Sequence, residues 1–172
     1  SAGADQGICV GSTATMAGSF SGGASSATWT TSGTGSFNNN NPNAVYTPSL
    51  ADAIAGSVIL TYTTNDPAGP CPSVNSSMTL TISPVATASA GPNQAICSDN
   101  TATMAGSYGG AASSATWTTS GTGSFNNNNP NAVYTPSSGD ISAGSVTLTY
   151  TTDDPSGPCP GASSSMTLSI SP

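Results

Sequence analysis

The chain is one unit written twice. Cys9 recurs as Cys97, Trp29 as Trp117, Pro42 as Pro130, Cys71 as Cys159 and Pro84 as Pro172, each 88 residues later and with no gap between. Residues 1–84 and 89–172 differ at 20 of 84 aligned positions. Neighbours this similar mark a recent duplication, and internal repetition decides architecture before any local signal does. Only Val85, Ala86, Thr87 and Ala88 lack a counterpart. The repeat therefore predicts two units, 1–84 and 85–172, as a window on a continuing series.

Within a unit, apolar residues alternate with a period of two, the pattern of half-buried strands. Ala14 and Met16 share a face in Thr13–Ala17, and Ala27 and Trp29 in 27–30. A short strand is predicted at 44–47 before Pro48, and others along Val58, Leu60, Tyr62 and along Met78, Leu80, Ile82. The second copy tests these registers. Ile59 becomes Thr147 while Val58, Leu60 and Tyr62 return unchanged, so the substituted position is the outward one. Clusters of Gly, Pro, Asn and Ser, such as Gly33-Thr34-Gly35 and Asn38–Asn43, supply turns. The one helical candidate is Ser49–Ala55, little more than a turn before Gly56. Six or seven short strands per unit, with turns at short intervals, predict an all-β fold of two tandem sandwiches. Trp29, Tyr62, Leu80 and their copies Trp117, Tyr150, Leu168 are the expected core.

Composition removes whole classes of function. Lys plus Arg is 0, His is 0, and the acidic residues, all Asp, give a formal charge of -7. Without cations the chain has no grip on a phosphate backbone or an anionic bilayer, so neither nucleic acid nor membrane is an expected partner. No His, Lys or Glu is present as a general base, which predicts a protein that is not an enzyme. Paired Asp residues are the residual catalytic option, as in glycoside hydrolysis, but they fall in predicted turns. No apolar run approaches the length of a membrane span, and no signal peptide is visible at Ser1. A soluble chain is expected.

Several stretches are distinctive together: Ala2-Gly3-Ala4-Asp5-Gln6 ahead of Ile8-Cys9, Ser25-Ser26-Ala27-Thr28-Trp29, Ala44-Val45-Tyr46-Thr47-Pro48, Ala55-Gly56-Ser57-Val58 and Asn65-Asp66-Pro67-Ala68-Gly69-Pro70-Cys71. Along both units the chain resembles the tandem Ig-like (PKD-like) repeats of giant secreted cell-surface adhesins in Bacteroidetes-type bacteria. The resemblance implies Ig-like sandwiches in an extracellular, non-enzymatic array at the cell surface, partnered by neighbouring copies of the same repeat. It carries no catalytic residues, cofactor or ligand.

Cys9, Cys71, Cys97 and Cys159 are the strongest chemical signal. One pair per unit in a chain about one-third Ser and Thr points to disulfides in an oxidising compartment. Zinc is the weaker reading, because no His or close Cys pair completes a tetrahedral site. Two pairings stand open. Cys9 with Cys71 and Cys97 with Cys159 would give one bridge per unit. The within-unit pairing is the first expectation. In an Ig-like strand order, however, Cys9 and Cys71 lie at opposite poles, so either the long loop 65–76 folds back or Cys9 meets Cys159 at the junction between units. All four cysteines are expected to be oxidised.

The remaining candidates each have a structural reading beside the functional one. Trp29 and Trp117 could stack on a sugar, but alternation with Thr makes them core residues. Asp52 and Asp66, which recur as Asp140 and Asp154, could ligate Ca²⁺, but no EF-hand spacing accompanies them. Asn38–Asn41 is a polar loop or a recognition loop. Thr61/Thr63 and Thr79/Thr81 suggest an ice-binding face, which a twisted sheet matches poorly. The sequon Asn75-Ser76-Ser77 is lost at Ser163 and reads as incidental. The expected function is a stiff, disulfide-reinforced repeat of an adhesin or fibre, with a glycan-binding or calcium-dependent adhesion module as the alternative. The connector, from Pro84 into a strand at Val85–Thr87, is expected to be too short and too extended to swing.

Overall fold

The computed structural model describes residues 1–66 and 72–172. The chain divides into two compact units, Ser1–Pro84 and Val85–Pro172. The first contains β1 (Gln6–Cys9), β2 (Ala14–Thr15), β3 (Ala27–Thr31), β4 (Ser36–Phe37), β5 (Val45–Thr47), α1 (Leu50–Ala55), β6 (Ser57–Thr64) and β7 (Asn75–Ser83). Its strands form a four-stranded sheet, β1-β7-β6-β3, and a three-stranded sheet, β2-β5-β4. β1 runs parallel to β7, and the other neighbours are antiparallel. Two sheets in this order make an Ig-like sandwich, in which the chain crosses repeatedly between the layers.

Alternation sets the inner faces as the sequence predicts. Val58, Leu60 and Tyr62 point inward from β6, whereas Ile59 between them is 52 % exposed. Met78, Leu80 and Ile82 do the same on β7. Trp29 sits opposite Tyr62 in the β3/β6 register. Their rings stack at 4.3 Å, and Trp29 stacks again on Phe37 of the other sheet at 5.4 Å. Phe37 in turn tilts against Tyr46 at 4.8 Å. A continuous run of four aromatic rings thus ties one layer to the other. Trp29, Tyr62, Leu80 and their copies are all buried.

The second unit repeats this plan with β9 (Gln94–Cys97), β10 (Ala102–Thr103), β12 (Ala115–Thr119), β13 (Ser124–Phe125), β14 (Val133–Thr135), α2 (Ser138–Ala143), β15 (Ser145–Thr152) and β16 (Ser163–Ser171). Its sheets are β12-β15-β16-β9 and β10-β14-β13. It also has a two-stranded ribbon of β8 (Ala86–Ser89) with β11 (Ser107–Gly110). The strand expected at Val85–Thr87 is β8, shifted by a residue or two. Its partner β11 has no counterpart in the first unit, where residues 19–22 are not a strand.

Two further differences from the sequence reading have local causes. The strand expected over Thr13–Ala17 pairs only at Ala14–Thr15, although Met16 continues with a hydrogen bond from its amide to the Ala44 carbonyl. Strand β4 lies between two segments read as turns and is assigned no element from the sequence, because two residues are too few to display a period. Each core residue of the first unit returns unchanged in the second, so the 20 differences all fall outside it. Trp29→Ala should therefore cost about 3–5 kcal/mol in urea unfolding. Ile59→Thr, which installs the residue found at position 147, should change stability by less than about 0.5 kcal/mol. A large loss from the second variant would contradict the β6 register.

Candidate functional site

Among the described residues of the first unit, Asp52 is the most completely engaged polar side chain. It stands at the third position of α1, whose N-cap Ser49 takes the Asp52 amide on its hydroxyl at 3.1 Å. The Asp52 carboxylate returns the bond, accepting the Ser49 amide at 2.9 Å. It also accepts the Thr34 amide at 2.9 Å, the Gly35 amide at 2.9 Å and the Tyr46 hydroxyl at 2.8 Å. Four donors meet a side chain that is 2 % exposed. Burial pushes its pKa up, but the hydrogen bonds from Ser49, Thr34, Tyr46 and Gly35 outweigh it and hold the group at about 2. Asp140 repeats the arrangement with Ser137, Thr122, Gly123 and Tyr134, and is likewise held at about 2.

The glycines here are steric requirements. A Cβ on Gly33 would lie 2.1 Å from the Asp52 carboxylate, and one on Gly35 2.5 Å from the Tyr46 hydroxyl oxygen. The carboxylate that the sequence offers as a calcium ligand therefore spends its lone pairs on its own fold. Of the remaining acidic positions only Asp66 repeats, as Asp154; Asp5 becomes Asn93, and Asn65 becomes Asp153. Those exchanges keep a side-chain acceptor in place. Asp5 and Asn93 both take the amide of the adjacent strand, from Thr79 and Thr167. Asn65 and Asp153 both take the pair of serine amides at 25–26 and 113–114. Among the described residues no three His, Cys or Asp side chains cluster as a metal site.

The asparagine run is occupied in the same way. Asn40 accepts the Trp29 amide at 3.1 Å, Asn38 the Val45 amide at 2.8 Å, and Asn39 the Asn41 amide at 2.7 Å. The carbonyl of Asn41 accepts the Trp29 indole N–H at 3.1 Å. Trp29 is 4 % exposed and stacks on both Tyr62 and Phe37, so its ring is not open to a sugar.

The cysteines behave differently from the rest. Cys9 and Cys159 are disulfide-bonded, Cys97 is a free and exposed thiol, and Cys71 lies outside the described residues. The expected Cys97–Cys159 bridge within the second unit is therefore not formed. Strand polarity explains this. Cys97 pairs in register with Ser171, at the end of β16. Cys159 lies in the connection between Thr152 and Ser163, at its start. The intervening strand spans about 26 Å at about 3.3 Å per residue, whereas a disulfide needs Cα atoms within about 7 Å. Cys9 is placed like Cys97, in register with Ser83 at the end of β7.

The Asp52 network escapes the sequence reading, which marks the helix but not the burial of its third residue. A signal exists in the repeat itself. Leu50, Ala51, Ala53 and Ile54 all change in the second copy, and only Asp52 among them returns.

No family model matches the chain, and no curated protein matches it. Among solved structures it is similar to Protocadherin Gamma B2 extracellular cadherin domains 3-6, at 14% identity over 84% of this chain and 41% of that one, TM-score 0.39. It is also similar to mouse Cadherin-23 EC22-24, at 11% identity over 96% and 62%, TM-score 0.43. A third is Drosophila N-cadherin EC1-4, at 13% identity over 86% and 41%, TM-score 0.44. The chain spans less than two thirds of each of these three, and at such scores nothing they bind transfers to it.

Two outcomes are expected. A carboxylate held at about 2 in the fold, against the ordinary 3.8, stabilises each unit fully above pH 4. That contribution, about 2 kcal/mol per unit, disappears as pH falls toward 2. Urea midpoints measured between pH 6 and pH 2 should show the loss, and Asp52→Asn should flatten it for the first unit. Separately, a maleimide should label Cys97 in the native chain and leave Cys9 and Cys159 unlabelled until reduction. Because the chain offers trypsin no site, peptide mapping requires another protease.

Proposed function

We propose that the chain is a pair of structural repeats from an extracellular, non-enzymatic adhesin or fibre, stacked end to end as a stiff, disulfide-reinforced stalk. The observation that carries this reading is the placement of the cysteines. The second unit's two cysteines stand at opposite poles of one sandwich, where they cannot close on each other. They suit bridges that tie a unit to its neighbours in a series. In the assembled array the exposed Cys97 bonds to a cysteine of a further repeat and so joins the reinforcement. The partners are neighbouring copies of the same repeat, and the setting is oxidising and outside the cell.

The connector supports stiffness. Only Pro84 and Val85 stand between β7 and β8. Pro84 fixes its own φ and pushes Ser83 to extended geometry, whereas flexible linkers are long and rich in Gly and Ser. No helix of the described residues is long and apolar enough to cross a membrane. Small-angle scattering on the purified chain tests the proposal: one narrow distribution of inter-unit orientations is expected, and a broad one would overturn it. Specific binding of the folded chain on a glycan array would favour the adhesion-module alternative instead.

A further inference from the structure

The first unit carries a cleft that the second unit fills with its own backbone. The cleft, about 540 Å³, is lined by Phe20, Ser21, Gly23, Tyr62, Val74 and Ser76 among others. In the second unit β8 lies antiparallel to β11, pairing Ser89 with Ser107, Ala88 with Tyr108, Thr87 with Gly109 and Ala86 with Gly110. The residues that correspond to β11 are Ser19–Gly22, and among the described residues no strand lies beside them.

Three features show that the first unit keeps the shape of an acceptor. The first rung of the ladder is already present: Ser19 donates its amide to the Ser1 carbonyl at 3.0 Å, and Ser1 donates its amine to the Ser19 carbonyl at 2.8 Å. This is the Ser89–Ser107 rung, and the ladder stops there. Second, Phe20 holds the position of Tyr108, at 6.2 Å and a tilted angle from Tyr62, as Tyr108 lies from Tyr150. Third, Gly110 and Gly22 share a left-handed backbone, with φ of 67° and 77°. A Cβ on Gly110 would lie 1.9 Å from the Val85 carbonyl oxygen, while nothing stands within 4 Å of the same point on Gly22. The first unit thus holds a glycine geometry that leaves room for a strand.

We propose that this cleft is a strand-acceptor site, and that its occupant is the connector of a further repeat, an extended Val-Ala-Thr-Ala segment running into Ser1. Main-chain bonds along Ser19–Gly22 supply the affinity, as in strand addition to a sheet edge. Small side chains at alternate positions fit beside Phe20 and Tyr62, as Ala86 does when buried in the second unit. The proposal rests on the array reading, since it makes each connector the missing strand of the unit it enters.

The register predicts which amides respond. Hydrogen-bonded and non-bonded pairs alternate in an antiparallel ladder. With Ser1–Ser19 bonded, the next bonded pair places the Ser21 amide on the added Thr. The Gly23 amide then reaches the added Val, as Ala111 reaches Val85 at 3.2 Å. The test compares amide hydrogen exchange in the full chain, in the chain extended by Val-Ala-Thr-Ala ahead of Ser1, and in one extended by Val-Ala-Pro-Ala. Exchange at Ser21 and Gly23 should slow at least tenfold with the first extension only. Unchanged exchange, or equal protection by the proline control, would overturn the proposal. Gly22→Ala in the extended chain should abolish the Gly23 protection, and retained protection would count against the site. Scattering on the same samples reads inter-unit order separately, so failure of the stalk and failure of the acceptor site are distinguishable.

Discussion

A carboxylate buried where no cation exists is the constraint around which each unit is arranged. A buried charge is ordinarily met by Lys, Arg or a metal, and leaving it unmet costs several kcal/mol. This chain has no Lys, Arg or His, so Asp52 must be satisfied by neutral donors alone. Collecting four of them fixes α1 through Ser49, the turn through Thr34 and Gly35, and β5 through the Tyr46 hydroxyl. Tyr46 then contacts Phe37, Phe37 contacts Trp29, and Trp29 contacts Tyr62. The carboxylate and the aromatic run are therefore one structure, polar at its end and apolar through the middle. The 26 residues from Ala24 to Ser49 return without a change at 112–137, and this stretch contains β3, β4, β5, the asparagine run and the helix cap.

The parts legible in the sequence are those that depend on periodicity over several residues. β6 and β7 show their faces through Val58, Leu60, Tyr62 and Met78, Leu80, Ile82, and Ile59 against Thr147 fixes which side is wet. β4 and the edge strand β1 have too few alternating residues to show a face, and β1 pairs in parallel at a position where no hairpin turn announces it. The burial of Asp52 is illegible locally because a surface helix and a buried cap share the same residues. Only the repeat, by keeping Asp140 while its neighbours change, distinguishes them.

The cysteines show a different kind of gap. Spacing and composition identify them as bridge-formers but say nothing of polarity, which depends on strand direction. Cys97 at the end of β16 and Cys159 at its start are separated by the length of the strand. The geometric argument against a bridge within the unit is thus correct in the second unit. The oxidation expected at Cys97 is absent from this chain, where the thiol is exposed in a shallow hollow beside Ile96, Asn100 and Ser171.

Sheet edges pose a problem that most proteins solve with charge. An open strand edge invites pairing with another chain, and inward-facing Lys is a common guard. Lys is not available here, and the chain uses side-chain amides and carboxylates instead. Asn40 takes the Trp29 amide on the outer edge of β3, and Asn128 takes that of Trp117 on β12. Asp5 and Asn93 take the amides of Thr79 and Thr167 immediately before β1 and β9 begin their pairing. β2 and β4 are two residues each, too short to template a partner. Guarding is thus local and specific, and an edge left without such a cap is conspicuous. Residues 19–22 are that edge: among the described residues no side chain accepts the Ser21 or Gly23 amide, and in the second unit the equivalent edge is closed by backbone. In the array proposed above, lateral pairing is suppressed through the asparagines while one edge is reserved for the strand that continues it.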